Sequence, residues 1–355
     1  MTRRRLVELA AFADGVLFRP LDRARENPVL PRKPNLKLGQ LLYGIATFIP
    51  GVGAYFGRGA GDTALPRYCY SVWLRHLVTS SANGMKALPG VVAELGPGNS
   101  LGIGLSALLS GADRYHAFDV VQHAQINRNL AILDELIALF KARADIPGPD
   151  EFPQVHPLLS TYAFPRHLLT DEHLAATLAD DRLERIRDSV RSQNKPGSMI
   201  DYRTRWFDEQ AIERGTVDFL ISQAVLEHID DLPGTYRAMR LWLKPDGFTS
   251  HDVDFRAHST ARFWNGHWKY SDLTWKLIRG RRSYLLNREP YSVHLRLLAE
   301  NGFLAVGGQQ TNAEPVIGRE KLAPRFRQKL TDQDLTTPTA VIQAVPAPAT
   351  HRSAP

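Results

Sequence analysis

The stretch VVAELGPGNSLGIGL, residues 91–105, decides the fold expected for this chain. A short apolar run leads into Gly96, Pro97 and Gly98, and a helix-length apolar segment, 101–109, follows. Glycines let the backbone turn tightly at the end of a strand and approach a ligand without Cβ atoms, while a helix N-terminus offers unpaired N–H donors. This strand, loop and helix therefore predict a nucleotide-type binding loop.

Strands and helices alternate after this loop, which is typical of a parallel sheet with crossover helices. Residues 146–197 interrupt the alternation with a proline-rich run and a charged helical stretch, and we interpret them as an inserted lid. The expected strands are 91–95, 114–120, 199–202, 217–223, 247–252, 303–307 and 339–345, and the expected helices are 101–109, 123–142, 171–191 and 232–243. We expect a basic arm with a helical extension at 1–87, one domain at 88–345 and a flexible tail at 346–355.

The composition excludes several classes of protein. With 43% hydrophobic and 23% charged residues, the 355-residue chain is not largely disordered. The single cysteine, Cys69, excludes an intramolecular disulfide and a multi-thiolate zinc site, and it indicates a reducing compartment. Acidic Glu8 and Asp14 interrupt the region where a signal peptide would be apolar. We therefore expect a cytoplasmic location.

The net charge of +7 is concentrated in residues 1–58, which hold ten Lys and Arg against four Asp and Glu. Because the rest of the chain is close to neutral, we expect no nucleic-acid partner, whose phosphates would need clustered basic residues. The 20 residues from Leu38 to Gly57 carry no charge but contain five glycines and Pro50. They predict either a helix-turn element packed on the domain, or a peripheral foot on the inner membrane face.

The residues around the loop indicate the kind of cofactor. Asp119 follows Gly96 by 23 residues and ends the next expected strand, where a carboxylate accepts both hydroxyls of a ribose. Glu94 would repel a pyrophosphate but would suit the ammonium and sulfonium groups of S-adenosylmethionine. Ser100 replaces the third glycine of many such loops, and its hydroxyl is expected to cap the next helix.

These residues, with VDFLISQAVLEHIDDL at 217–232 and LWLKPDG at 241–247, resemble the class I methyltransferase family, of the type 11 kind. The resemblance covers about residues 88–345 and implies a Rossmann-like α/β sheet, mostly parallel with an antiparallel last strand. It implies S-adenosylmethionine as the cofactor, with Gln223 and Ala224 bordering its methionine part. The adenine contact stays open between Asp201 and the pair Trp206 and Asp208. The expected cofactor-binding residues are Glu94, Gly96, Pro97, Gly98, Ser100, Asp119, Gln223 and Ala224.

The acceptor side is expected at the carboxyl ends of the fourth and fifth strands, which face the ligand crevice in open α/β sheets. Methylation of a hydroxyl needs a base, and the expected catalytic residues are His251, His228 and Asp254. Glu227 neighbours His228. His258 and His267 match no tight metal-ligand spacing with Asp252 or Asp254, so no metal is expected. Trp264, Trp268 and Trp275 suit stacking on a sugar or helix packing, and Arg288 and His294 suit an anionic acceptor or local structure.

The block from SHDVDFRAHS at 250–259 to LNREPYSVHLRLLAENGF at 286–303 also resembles methyltransferases of bacterial glycan assembly. The favoured function is thus O-methylation of a saccharide or another hydroxylated small molecule or glycan. Three alternatives remain: a lipid or quinone-like acceptor at a membrane, a non-catalytic cofactor-binding scaffold, and an NAD-dependent oxidoreductase. The last is disfavoured by Glu94 and by the lack of a recognisable catalytic Tyr-x-x-x-Lys.

Overall fold

The computed structural model describes residues 34–49, 63–121, 124–204, 209–282 and 285–348. Contacts between Cα atoms divide the chain into two compact units. The larger unit comprises the described parts of Gly59–Asp254, Tyr291–Thr311 and Thr339–Pro355, and the smaller one comprises those of Met1–Arg58, Phe255–Pro290 and Asn312–Pro338. The bounds 1–87, 88–345 and 346–355 expected from the sequence stay a proposal.

The larger unit is built on a seven-stranded sheet with the order β3-β2-β1-β4-β5-β7-β6. The strands β1 to β5 pair in parallel, whereas β7 pairs antiparallel with both β5 and β6. This confirms the expected Rossmann-like α/β class, mostly parallel with an antiparallel last strand. The strands are β1 (Val91–Leu95), β2 (Arg114–Asp119), β3 (Ile200–Thr204), β4 (Val217–Gln223), β5 (Leu243–Asp254), β6 (Phe303–Gln310) and β7 (Thr339–Pro346).

The helices are numbered in chain order across both units. The larger unit holds α2 (Pro66–Ala82), α3 (Gly102–Leu109), α4 (Ile126–Ala142), α5 (Asp171–Thr177), α6 (Asp180–Arg191), α7 (Leu232–Trp242) and α9 (Tyr291–Glu300), with a 3-10 turn at Leu226–His228. The smaller unit holds α1 (Leu38–Ala46), α8 (Asp272–Arg279), α10 (Pro324–Lys329) and α11 (Asp332–Thr336), with 3-10 turns at Gly266–Lys269 and Arg319–Lys321.

The core of the larger unit forms between the sheet and its helices. Apolar residues of α4 recur at helical spacing and bury one side of that helix, as expected for an amphipathic helix on a sheet. The ring of Phe219 on β4 contacts the ring of Trp73 on α2 and the ring of Phe248 on β5. All three residues are at most 1% exposed. Helix α2 therefore packs as part of the sheet domain, although its residues were assigned to the N-terminal extension.

The charged part of the inserted segment 146–197 packs at the C-terminal end of α3, whereas Leu158 bonds through its backbone to Gln309 near the carboxyl end of β6. Its charged stretch forms two helices, α5 and α6, rather than one. His173 of α5 contacts the Ser110 carbonyl through Nε2 at 2.8 Å, and Arg182 of α6 donates to the Ala112 carbonyl at 2.7 Å. Both acceptors follow the C-terminal end of α3, which is remote from the loop at its N-terminal end. Helices α5 and α6 thus lie away from the glycine loop, and a lid role for the segment 146–197 stays a proposal.

Candidate cofactor and acceptor site

The glycine loop lies at the carboxyl end of β1, where the strand order reverses and ligands bind in open α/β sheets. Gly96 and Gly98 have φ angles of +68° and +72°, which favour glycine. The Gly96 N–H donates to the Phe118 carbonyl at 2.7 Å and ties the loop to β2. A Cβ atom at Gly96 would lie 2.6 Å from Cγ2 of Val225, since the turn after β4 closes on the loop. The sequence thus places a bare backbone at the crevice.

Asp119 ends β2 beside this loop with a fixed orientation. Its Oδ2 accepts from the Gly98 N–H at 3.3 Å, and its Oδ1 accepts from the Val120 N–H at 2.7 Å. The residue is 7% exposed. A carboxylate held at the edge of the loop fits the ribose hydroxyls of a nucleoside cofactor.

Ser100 supports the loop from within the protein. Its hydroxyl donates to the Thr63 carbonyl and accepts from the Gly102 N–H, the latter at 3.1 Å. The N-cap position of α3 is occupied by Leu101 and not by Ser100 as expected. Ser100 lies one residue before the N-cap and still accepts a hydrogen bond from an N–H group of the first turn. Because Ser100 is 1% exposed, it shapes the loop rather than presenting a side chain to a ligand.

Glu94 lies beneath the loop and is 2% exposed. Its Oε2 accepts from the Tyr115 hydroxyl at 2.5 Å, and the Gly104 N–H of α3 also bonds to its carboxyl group. Burial raises the pKa of Glu94 to about 8, and the negative charge of Asp119 adds to this effect. The carboxyl group is therefore mostly protonated at neutral pH, and it steadies α3 against β2. This geometry favours a supporting role and weakens the argument that Glu94 meets a cationic cofactor directly.

Gln223 and Ala224 lie at the carboxyl end of β4, next to the glycine loop. Ala224 has a φ angle of +52°, and its N–H donates to the Asp252 carbonyl at 3.0 Å. The Gln223 side chain donates from Nε2 to Oδ2 of Asp252 at 2.7 Å. The two residues that the resemblance assigned to the methionine part of the cofactor are therefore fixed to the end of β5.

A chain of buried hydrogen bonds holds Gln223 from the other side, and sequence reasoning missed it. His76 of α2 contacts Oε1 of Gln223 through Nε2 at 2.9 Å and Oγ of Ser250 through Nδ1 at 2.7 Å. Gln343 of β7 donates to Ser250 Oγ at 2.9 Å and accepts from Asn83 at 2.6 Å. A histidine in the middle of a helix, with partners 147 and 174 residues away, carries no local sequence signal.

The donors and acceptors that each group offers determine the direction of every hydrogen bond in this network. An ionised Asp252 carboxylate only accepts, so Gln223 turns its amide nitrogen to it and its oxygen to His76. His76 then carries its proton on Nε2 and accepts from Ser250 through Nδ1, and Ser250 accepts from Gln343. Burial lowers the pKa of His76 to about 4, which keeps the ring neutral as this order requires.

His251, the leading candidate base, points away from this group. Successive residues of a strand face opposite sides of the sheet, so His251 lies on the other face from Ser250 and Asp252. It is 1% exposed, and its Nδ1 lies 2.8 Å from Oγ of Ser222. Burial, with the nearby rings of His76 and His294, lowers the pKa of His251 to about 3. A buried imidazole with so low a pKa is a weak base, and this environment fits a structural role better.

His228 and Asp254 are the other two candidate bases, and both are partly exposed. His228 lies in the 3-10 turn after β4, where its N–H donates to the Val225 carbonyl at 2.9 Å, and Asp254 ends β5. Glu227, the middle residue of this turn, is 2% exposed. Burial, together with the charges of Asp254 and Asp252, raises its pKa well above the usual range. The buried carboxyl group of Glu227 thus lies close enough to Asp254 for the two to interact at the crevice edge.

Asp201, one of the two candidate adenine contacts, is the second residue of β3 rather than its last. Its Oδ2 lies 3.3 Å from Nδ1 of His116 and 2.7 Å from a guanidinium nitrogen of Arg203. Although burial opposes ionisation, these two partners lower the pKa of Asp201 to about 2. The carboxylate is thus committed to a local ion pair, and the alternative pair, Trp206 and Asp208, lies outside the described residues.

Other suggested acceptor contacts are buried within their own units. His294 of α9 is 0% exposed, and its Nδ1 lies 2.9 Å from the Tyr236 hydroxyl. In the smaller unit, the Arg288 guanidinium bonds to Asp272 and lies 4.8 Å from the centre of the Trp275 ring. Trp268 and Trp275 are at most 6% exposed, so helix packing accounts for both rings, and only Trp264 of the three is partly exposed. Within the described ranges, no cluster of three metal-ligating side chains occurs.

Comparison with known proteins adds a family match at this point. Residues 162–250, which include β3, β4 and most of β5, match the type 11 family model described as a methyltransferase domain. A search of curated proteins finds no match.

Two methyltransferases are among the solved structures to which the chain is similar. A methyltransferase from Mesorhizobium loti, dependent on S-adenosylmethionine, is 12% identical with a TM-score of 0.38, and the likeness covers 76% of this chain and 97% of that one. Phosphoethanolamine N-methyltransferase 2 of Haemonchus contortus, solved with phosphomonomethylethanolamine and S-adenosylhomocysteine, is 15% identical with a TM-score of 0.37, covering 78% and 53% of the two chains.

The matched domain, the order of the seven strands and the loop geometry define an S-adenosylmethionine-dependent methyltransferase of class I. The site fits this cofactor, because Gly96 and Gly98 bring bare backbone at positive φ to the carboxyl end of β1 and Asp119 turns a fixed carboxylate to the loop. S-adenosylmethionine, as expected from the sequence, is therefore the cofactor.

Proposed function

We propose that this methyltransferase transfers a methyl group to a hydroxyl oxygen of a saccharide or another hydroxylated small molecule or glycan. The observation that carries the proposal is the grouping of His228, Asp254 and buried Glu227 at the carboxyl ends of β4 and β5. Carboxyl and imidazole groups at this edge can bond to several hydroxyls and accept a proton from one of them.

The cofactor roles are proposed residue by residue. The backbone of Gly96, Pro97 and Gly98 cradles the cofactor, and Asp119 holds its ribose hydroxyls. Gln223 and Ala224 border the methionine part. Glu94 and Ser100 complete the set by supporting the loop from beneath, in keeping with their burial.

When bound, S-adenosylmethionine supplies a methyl group on a positively charged sulfur. The acceptor oxygen forms a bond to that carbon as the carbon–sulfur bond breaks, and the hydroxyl proton passes to a base of the protein. Asp254 is the favoured base, because it ends β5 at the crevice edge and is partly exposed beside the buried carboxyl group of Glu227. His228 is the second candidate, and His251 is the third because of its burial.

The bases can be separated by measuring release of S-adenosylhomocysteine with a panel of methyl glycosides, other polyols and amines as acceptors. Asp254→Asn is expected to lower kcat by about a hundredfold or more, the usual contribution of a general base. Affinity for S-adenosylhomocysteine should stay within about twofold, since Asp254 lies outside the loop. Unchanged kcat in Asp254→Asn and loss in His228→Ala would move the role to His228, and activity on amines alone would exclude O-methylation.

A lipid or quinone-like acceptor is the second candidate, favoured by apolar side chains exposed on α1, among them Leu38 at 62% and Leu42 at 56%. Within the described ranges, no helix is both long enough and apolar enough to cross a bilayer. We infer a cytoplasmic enzyme with peripheral contact to the inner membrane face through its N-terminal arm. Methylation of an isoprenoid quinol or phospholipid, with none of any glycoside, would replace the saccharide assignment. Cofactor binding without transfer to any acceptor would favour the scaffold alternative.

A further inference from the structure

The smaller unit carries an exposed apolar stripe. Leu38, Leu42, Ile45 and Ile49 follow one another at intervals of four, three and four residues and are 62%, 56%, 41% and 50% exposed. Such spacing places side chains along one face of a helix and of the turn that continues it. Large apolar side chains scattered singly are normal on a protein surface, but a continuous row of four is typical of an interaction site.

The packing of α1 on α8 fixes the direction of this stripe. A Cβ atom at Gly44 would lie 2.1 Å from the carbonyl oxygens of Leu277 and Ile278, so the two backbones touch. The Thr47 hydroxyl accepts from the Arg281 N–H at 2.8 Å beyond the C-terminal end of α1. One side of α1 is therefore occupied by α8, and the apolar stripe lies on the side that remains exposed.

A cationic hollow lies at the C-terminal end of α8. It has a volume of about 330 Å³ and is lined by Lys276, Arg279, Gly280, Arg281 and Arg282. No acidic residue occurs in 276–282 or in 34–49, so both segments have a positive net charge. The guanidinium of Arg281 lies 5.9 Å from the centre of the Phe48 ring, which connects the hollow to the turn after α1. Leu273 of α8 adds a further apolar side chain, 70% exposed.

We propose that this surface, the α1–α8 face, docks on an anionic phospholipid bilayer. Leu38, Leu42, Ile45 and Ile49 would enter the boundary between head groups and acyl chains, and the hollow would bind lipid phosphates. Apolar side chains beside clustered Lys and Arg are the composition that an interfacial helix uses on anionic lipid, and a purely apolar protein interface would not need the basic hollow. The proposal names the surface behind the peripheral contact inferred above, and it is independent of which acceptor is methylated.

The test uses the full chain and flotation with vesicles of phosphatidylcholine alone or mixed with phosphatidylglycerol. We expect at least tenfold stronger binding to the anionic vesicles. Leu42→Glu with Ile45→Glu should weaken that binding at least tenfold, whereas the matched variant Leu158→Glu with Leu304→Glu, at leucines 42% and 54% exposed in the larger unit, should leave it unchanged. Lys276→Glu with Arg281→Glu should abolish the preference for anionic lipid.

The controls separate this proposal from its rivals. All variants retain the basic arm 1–33, so undiminished flotation of Leu42→Glu with Ile45→Glu would assign binding to the arm and overturn the proposal. Sedimentation equilibrium identifies a second copy as the occupant. The proposal would also be overturned if the wild type formed a dimer and did not bind vesicles, while Leu42→Glu with Ile45→Glu was monomeric. Methyl transfer to a water-soluble acceptor should be equal in wild type and variants, so loss of methyltransferase activity would be recognised separately.

Discussion

Substitution of Gly96 by alanine tests whether the turn after β4 closes the cofactor loop. The new Cβ atom would lie 2.6 Å and 2.9 Å from the two γ-carbons of Val225. A side chain at a φ angle near +68° costs about 1–2 kcal/mol, and overpacking of this kind costs about 1–3 kcal/mol more. We expect the free energy of unfolding to fall by about 2–5 kcal/mol, and the Kd for S-adenosylhomocysteine to rise at least about tenfold as the loop shifts.

Gly215 provides the matched control for the backbone contribution. Its φ angle is +67°, and nothing lies within 4 Å of a Cβ atom built there. Gly215→Ala should therefore lose only about 1–2 kcal/mol of unfolding free energy and leave cofactor affinity unchanged. Adding Val225→Ala to Gly96→Ala removes the clashing carbons and should return about 1–2 kcal/mol, together with most of the affinity.

Urea unfolding and isothermal titration of S-adenosylhomocysteine supply both quantities for the four proteins. The reasoning is refuted if Gly96→Ala and Gly215→Ala lose the same stability and both keep wild-type affinity. It is equally refuted if Val225→Ala restores nothing, because the contact across the loop would then carry no free energy.

Two further predictions concern buried ionisable groups. Folded Glu94, with a pKa of about 8 against an ordinary 4.5, keeps a proton that the unfolded chain releases, so wild-type stability falls as the pH rises through this window. The difference in unfolding free energy between Glu94→Gln and the wild type should therefore shift in favour of the variant by about 1.4 kcal/mol per pH unit between pH 5 and 7.5. Urea unfolding at several pH values measures this difference, and a difference that does not change with pH would contradict the prediction. His76→Ala removes one of the two side-chain partners of Gln223, leaving only Asp252, and should weaken S-adenosylhomocysteine binding by about threefold to tenfold, or about 1 kcal/mol. Asn83→Ala, at the far end of the same chain, should retain full affinity in the same titration; equal losses in the two would indicate only general destabilisation.

Short patterns in the sequence were sufficient to predict most of the fold. The apolar strand before Gly96, the glycines at positive φ and the carboxylate of Asp119 are encoded within 29 residues, so the sequence predicted the loop and its neighbouring strand. Helical periodicity likewise predicted α4. The division of 171–191 into α5 and α6 was not predicted, because residues 174–179, LAATLA, contain no Gly or Pro that would mark the break at Leu178 and Ala179.

The candidate site could be predicted only where function lies on the backbone or at a strand end. Glu94 and His251 were singled out by residue type, but their burial depends on the faces of the sheet and on helices far away in the chain. His76 was not recognised for the same reason, because its hydrogen-bond partners are on β4 and β5. Burial decides both the pKa and the access of an ionisable group, and one sequence position reveals neither.

The most direct test of the central claim is calorimetric titration of the purified full-length protein with S-adenosylhomocysteine and, separately, with NADH. The account predicts a micromolar Kd for S-adenosylhomocysteine, loss of that binding in Asp119→Ala, and no heat from NADH. Retained binding in Asn99→Ala, on the same loop but not among the proposed cofactor ligands, would show that the loss is specific. Tight binding of NADH with none of S-adenosylhomocysteine would contradict the assignment of this loop to a methyltransferase cofactor.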